Sequence, residues 1–219
     1  MVSAISSHTL DVFAATVVIL TVAIPARAQP TQQPIGGYVV DVRGSVVPFS
    51  RNIELAEARL LTPLDTPGLG TGFEIGGHIY PLQWRFVTFG VGASFHSSRA
   101  DQQPTEWSPN PDGPSLRKRF TALAPQLSFN FGGRNGWSYL SGGISPSRLS
   151  LYPLNRETPT QQSSNTLNYG GGVRGFTSEH IAFSVDLRLY AISPVPGTAN
   201  EPASPRMTQM VLNIGASFR

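Results

Sequence analysis

Two sets of residues in this 219-residue chain have side chains and spacings that could do chemistry. The stretch FHSSRAD sets His96 two residues before Ser98, and an imidazole beside a hydroxyl is the start of a nucleophile–base pair. Such a pair needs an acid to orient the base, and the downstream Glu106 lies in a Pro-rich stretch, unsuited to holding it. The second set consists of single charges planted among apolar residues: Asp41, Arg43, Glu74, His78, Arg174, Asp186 and Arg188. Carboxylates and guanidiniums confined together can pair and hydrogen-bond, which offsets the loss of water around them. The glycine-rich stretches GLGTGFEIGG and NYGGGVRG match no phosphate loop, because no Lys-Ser/Thr follows and no strand-to-helix setting surrounds them. A metal site is not expected: Cys is absent, His78 is isolated and no close-spaced ligand set occurs. No cofactor is expected either.

What must position these residues is a set of strands. The stretch MVLNIGASFR alternates Met210, Leu212, Ile214, Ala216 and Phe218 with Val211, Asn213, Gly215 and Ser217, a period of two. The same period runs through GYVVDVRGSVVPF, GFEIGGHIYPL, FVTFGVGASFHSS, RFTALAPQLSFNF, GWSYLSGGISPSRLSLY, TLNYGGGVRGF and HIAFSVDLRLYAI, which makes about eight segments. In most of them the large apolar residues share one face. Asp41, Arg43, Glu74, His78, Arg174, Asp186 and Arg188 fall on the other, among Gly and Ser. Gly90, Gly92, Gly170 and Gly172 are expected to leave room there for the arginines.

The joins alternate in length. LQWR, GGRNG and TSE are short enough for hairpin turns, whereas residues 50–71, 97–118, 153–165 and 193–206 are long and rich in Pro, Ser, Thr and Asn. Every long join then lies at one end of an up-and-down sheet. Aromatic residues collect at both ends: Tyr38, Trp84, Phe86, Phe131, Trp137, Phe176 and Phe218 by the short turns, and Phe49, Phe73, Phe95, Phe120, Tyr152, Tyr169 and Tyr190 by the long joins. The offset of about 11 residues between the ends matches a tilted strand crossing a bilayer. Rings with apolar bodies and polar edges favour the two interfaces. Pro125 and Pro146 interrupt the fourth and fifth segments at similar heights, so a local irregularity is expected there, and a bulge near Pro125 would turn Phe120, Ala122 and Ala124 to the face of Leu127, Phe129 and Phe131. The facing of the fifth segment stays open.

Composition agrees with an exported chain. An apolar run from Val12 to Ile24, then Pro25 and Ala26-Arg27-Ala28, has the layout of a secretory signal cleaved before Gln29, although no Lys or Arg precedes the run. The run is short of the about 20 residues of a spanning helix. The expected domains are a signal peptide, 1–28, and a barrel, 29–219. The net charge of +3 gives no case for nucleic-acid binding. With no Cys, an exported chain must be held by a core, a closed sheet or a membrane. Abundant Gly (22) and Pro (19) disfavour a helical bundle.

On these segments, joins and the Phe-containing last strand, the chain resembles small eight-stranded outer-membrane β-barrels of the OmpA membrane-domain type. The hairpin GGHIYPLQWRFVTFGVGASF looks like the second hairpin of such proteins. The resemblance implies an all-β, eight-stranded, antiparallel up-and-down transmembrane barrel in the cell outer membrane, monomeric and without catalysis, serving envelope structure or surface contact. It also implies that Phe218, followed here by Arg219, is the signal read by the barrel-insertion machinery. Eight strands enclose a space that side chains fill, so a plugged polar lumen is expected. Expected partners are outer-membrane lipids and lipopolysaccharide, the latter through Arg117-Lys118-Arg119, since guanidinium suits bidentate contact with phosphate; a solvated anchor flanking the apolar band is the plainer reading. Two alternatives stand beside this: an exported soluble lipocalin-like carrier, and a barrel hydrolase like the lipid A deacylases using His96 and Ser98.

Overall fold

Period-two patterning gives each strand one apolar and one polar face, and the order in which the strands pair decides which face looks outward. The computed structural model describes residues 34–108, 111–155, 162–197 and 202–219, and the expected signal segment, 1–28, lies outside them. The strands are β1 (Tyr38–Pro48), β2 (Leu69–Trp84), β3 (Val87–Gln102), β4 (Leu116–Gly133), β5 (Gly136–Pro153), β6 (Gln162–Phe176), β7 (Ile181–Ile192) and β8 (Met207–Phe218). They pair antiparallel in chain order, and β8 pairs back onto β1 from Val40↔Phe218 to Val46↔Leu212, closing the barrel.

The closed barrel is apolar outside. Val42, Ile75, Phe183 and Leu187 are about half exposed, whereas Asp41, Glu74 and Asp186 are almost wholly buried. An outer surface of Val, Ile, Leu and Phe on all eight strands is far larger than the apolar patches of soluble monomers. Hydrocarbon is the solvent it fits, and closure leaves no unpaired strand edge in that solvent. The chain is therefore a transmembrane barrel. A lipocalin-like carrier needs the reverse facing, with Met210 and Phe183 in a dry centre, and both lie on the outside. Among the described residues no helix is long and apolar enough to cross a membrane.

Three details depart from the sequence-based expectation. First, β3 and β4 run further than the alternation of apolar residues suggests, so residues 97–102 and 116–118 are strand and not loop. Their outward residues, Ser97, Arg99, Asp101, Arg117 and Arg119, are polar because the wall here stands above the hydrocarbon. Two joins on the short side shrink, to Arg85–Phe86 and Arg134–Asn135, and the third runs Thr177–His180.

Second, the irregularity at Pro125 and Pro146 is a gap in pairing and not a bulge. Pairing of β4 with β5 stops after Ala122↔Ser147 and resumes at Leu127↔Gly142 in the same register. Pro125 and Pro146 both fall in this gap, where neither has an N–H to donate. The Pro125 carbonyl fills the space instead: a Cβ on Gly143 would lie 2.0 Å from it. With register kept, Phe120, Ala122 and Ala124 face inward and are buried, opposite to the expected facing. The bulge is in β2, where Tyr80 and Pro81 together stand opposite Gly90.

Third, the aromatic belts are thinner than expected. Tyr38, Trp84, Phe86, Phe73, Phe95 and Tyr169 do face outward. Phe49, Phe120 and Tyr190 are instead packed inside the barrel near the long loops, and Trp137 inside it near the short turns.

The first long join contributes more than a loop. It holds α1 (Ile53–Glu57), capped by Asn52, whose Oδ1 accepts from the Leu55 amide at 2.9 Å. Leu55 and Ala56 are thereby buried at the barrel mouth. A short 3₁₀ turn, Pro63–Asp65, follows. Asp65 accepts from Thr62 and from Ser108 of the second long loop. Burial pushes this carboxyl up, but the hydrogen bonds outweigh it and hold it below the usual carboxylate value.

Candidate functional site

Inward positions at mid-height carry the charges. Asp41 and Arg43 come from β1, Glu74 from β2, Arg174 from β6, and Asp186 and Arg188 from β7. All six are buried. Arg43 reaches Asp41 through Nη2 and Glu74 through Nη1, each at 2.7 Å, and donates from Nε to Ser184 at 3.0 Å. Arg174 binds both Asp41 oxygens, at 2.7 and 3.1 Å, and Ser217 donates to the same carboxylate. Arg188 meets Asp186 at 3.0 and 3.3 Å, and also donates to Asn168 and Ser141. Asn213 on β8 joins the two halves by donating to Glu74 at 3.3 Å and to Asp186 at 3.2 Å. The three carboxylates face three guanidiniums, so the cluster is electrically balanced, and nearly every charged atom has a hydrogen-bonded partner.

Several members of this cluster escaped the sequence reading. Asn213, Ser184 and Ser217 lie on polar faces that the alternation already defined, so parity alone could have named them. Tyr139, which donates to Asp186 at 2.8 Å and lies 4.1 Å beneath the Arg174 guanidinium, could not have been found, because the facing of β5 was undetermined. His78 is inward and buried, yet neither ring nitrogen has a hydrogen-bond partner, so it stands outside the charge network. Its ring lies over Gly92, where a Cβ would come within 2.5 Å of it. The same relation holds for Tyr80 over Gly90 and Tyr139 over Gly172. These glycines make room for rings, not for the arginines.

The charged layer lies between two apolar ones. Ile35, Val39, Trp137 and Tyr139, with Tyr80 and Phe176 against them, fill the end by the short turns. Val47, Phe49, Leu55, Phe120, Tyr190 and Val211 fill the end by the long loops. Of Arg117-Lys118-Arg119, alternation sends Lys118 inward, where it is buried and donates to the Ser50 carbonyl at 2.7 Å. It sits 5.5 Å from the Phe49 ring centre, fastening the first loop across the mouth.

His96 Nε2 and Ser98 Oγ do meet, at 3.0 Å. Both residues are buried in the apolar layer, with His96 packed against Phe120 and Tyr190, and His96 Nδ1 has no partner. The orienting acid of a hydrolytic triad is thus missing from the imidazole. Among the described residues no group of His, Asp or Glu is arranged to hold a metal ion.

Strand order, closure and facing together define the class: an eight-stranded, all-antiparallel transmembrane β-barrel. No protein-family model matches the chain, and no curated protein matches it. Solved structures similar to it include Neisserial surface protein A, with 16% identity over 84% of this chain and 97% of that one, at a TM-score of 0.49. Another is Ail, the attachment invasion locus protein of Yersinia pestis, with 12% identity over 84% and 98% and a TM-score of 0.48. The N-terminal β-barrel domain of Pseudomonas aeruginosa OprF has 12% identity over 85% and 100%, with a TM-score of 0.41.

Proposed function

We propose that this protein is a monomeric, non-catalytic barrel of the cell outer membrane whose lumen is closed by its own side chains, serving envelope structure or surface contact through the long loops. The observation that carries this reading is the balanced cluster of Asp41, Arg43, Glu74, Arg174, Asp186 and Arg188 across the lumen between two apolar layers. An ion entering would have to shed water and part pairs held at 2.7–3.0 Å. With the interior occupied, the exposed loops are the surface left for partners outside the membrane.

Planar-bilayer recording of the refolded protein tests the closed lumen. The expected record is free of stable conductance steps at moderate voltage; steps of porin size would overturn the reading. Phe218, exposed on β8 and paired with Val40 and Ile181, serves in this reading as the residue by which insertion machinery takes up the chain. Phe218→Ser should slow assembly into membranes holding that machinery while leaving spontaneous folding in detergent nearly unchanged. Equal assembly rates would remove the assignment.

A further inference from the structure

The outer wall of β2 to β5 is layered in rows set by strand register. Ile75, Phe95 and Leu123 form the last apolar row, level with Pro146. Phe73, Ser97, Thr121 and Arg148 form the next, and above it come Thr71, Arg99, Arg119 and Ser150. Asp101, Arg117 and Tyr152 form the row above that.

Arg99 and Arg119 are direct cross-strand partners, both exposed on the same face. Like charges so placed repel, and a sheet has no reason of its own to hold them there. The nearby carboxylate, Asp101 in the neighbouring row, gives both its hydrogen bonds to Arg117, at 2.7 and 2.8 Å, and reaches Arg99 only through space. Neither the Arg99 nor the Arg119 side chain makes a hydrogen bond or ion pair with another described residue. A groove of about 480 Å³ opens beside them, lined by Thr71, Ser97, Arg99, Arg117, Arg119 and Tyr152. Its polar side chains are guanidiniums and hydroxyls, so they suit an anion rich in acceptor oxygens.

Height identifies the source of that anion. Four residues separate Phe95 from Arg99, about 13 Å along the strand, and less in depth because barrel strands tilt. Long arginine side chains can bend back toward the boundary. The guanidiniums therefore lie at the headgroup layer of the leaflet facing the long loops, where lipid phosphates are.

We propose that Arg99 and Arg119 form a clamp for the phosphate groups of a phosphorylated lipid headgroup packed against the outer wall. The phosphate supplies the negative charge that the cross-strand pair lacks, and guanidinium binds it through paired N–H donors. This rests on the transmembrane reading, and it assigns a lipid class and a location to that contact.

The test uses the full chain refolded into phosphatidylcholine nanodiscs, with or without diphosphoryl lipid A. Folding is first checked by the shift between unheated and boiled bands on a gel. A chain that never shows that shift in any lipid fails as a membrane barrel, separately from the clamp. For folded protein, the wild type should retain lipid A, and its melting midpoint should rise on adding it. R99Q/R119Q should bind about tenfold more weakly and lose that rise. In phosphatidylcholine alone it should melt no lower than wild type, since it relieves a repulsion. R85Q/R134Q, which removes two guanidiniums from the opposite rim, should behave as wild type. Equal retention by wild type and R99Q/R119Q would overturn the clamp, as would equal binding of lipid A stripped of its phosphates. Retention of inorganic pyrophosphate without retention of lipid A would assign the groove to a soluble anion and overturn the lipid.

Discussion

Leu187→Arg is expected to lower the unfolding free energy in lipid by about 2–4 kcal/mol, the range for a cation placed at the midplane of a barrel's lipid face. Leu187 is mid-strand in β7, exposed, and opposite Gly171 on one side and Leu212 on the other. Its same-face neighbours along β7 are Val185 and Leu189, so no polar group is at hand to receive the guanidinium. The new charge must bend toward an interface or draw water and headgroups inward. On a soluble barrel the same change at an exposed site would fall within about 0.5 kcal/mol. The two environments therefore predict effects that denaturant titration of vesicle-inserted protein, followed by the fluorescence of Trp84 at the membrane edge, readily separates. A change in midpoint no larger than that of a loop control such as Glu54→Arg would remove the hydrocarbon from the account. Depth gives a further check, because arginine at Phe218, near the short-turn interface, should cost clearly less than at Leu187.

The outer face was legible in the sequence because a bilayer imposes one simple demand on it. Every second residue must be apolar while the wall crosses hydrocarbon, and Val40, Ile75, Phe183 and Ile214 obey. Once the wall rises past the lipid, that demand lapses. Outward residues then turn polar, as at Arg99 and Arg119, and inward ones turn apolar where the mouth is packed shut, as at Phe120, Tyr190 and Val47. The apolar face thus changes sides without any change in register. Phe120 and Ala122 could face outward only across a bulge, and hydrophobicity stops meaning lipid contact where the strand leaves the bilayer. Parity was the better guide: counted back from Asn130, Ser128 and Gln126, every second residue to Lys118 is inward and buried. The charged residues of the site were named for the same reason the outer face was, being polar positions on strands whose other face was plainly apolar. What sequence could not supply was pairing across the lumen. Arg174 binds Asp41 from the opposite side of the chain order, and Asn213 links Glu74 to Asp186. These contacts are consequences of closure between β8 and β1, which alternation alone does not specify.

Asp186→Ala should destabilise the barrel by about 3–5 kcal/mol, because it leaves a charge uncompensated in a closed lumen. Arg188 would lose both carboxylate contacts and keep only Asn168 and Ser141. Tyr139 and Asn213 would lose an acceptor as well, and Asn213 would hold Glu74 alone. Glu74 and Asp41 cannot move to help, since Arg43 is already shared between them. The prediction becomes sharper in a double-mutant cycle. Removing both charges with side chains of similar volume, D186L/R188M, abolishes the stranded guanidinium and should recover most of the loss, as apolar replacements of whole buried pairs often do. Recovery would mean that the network is maintained chiefly because each member needs its partner, and that the pair itself adds little net stability. If Asp186→Ala instead proves nearly neutral in denaturant titrations, water or ions must already reach Arg188, and the lumen is wet and not closed. That outcome would also call for conductance in the bilayer recording, so two independent measurements must agree before the plug is kept or abandoned.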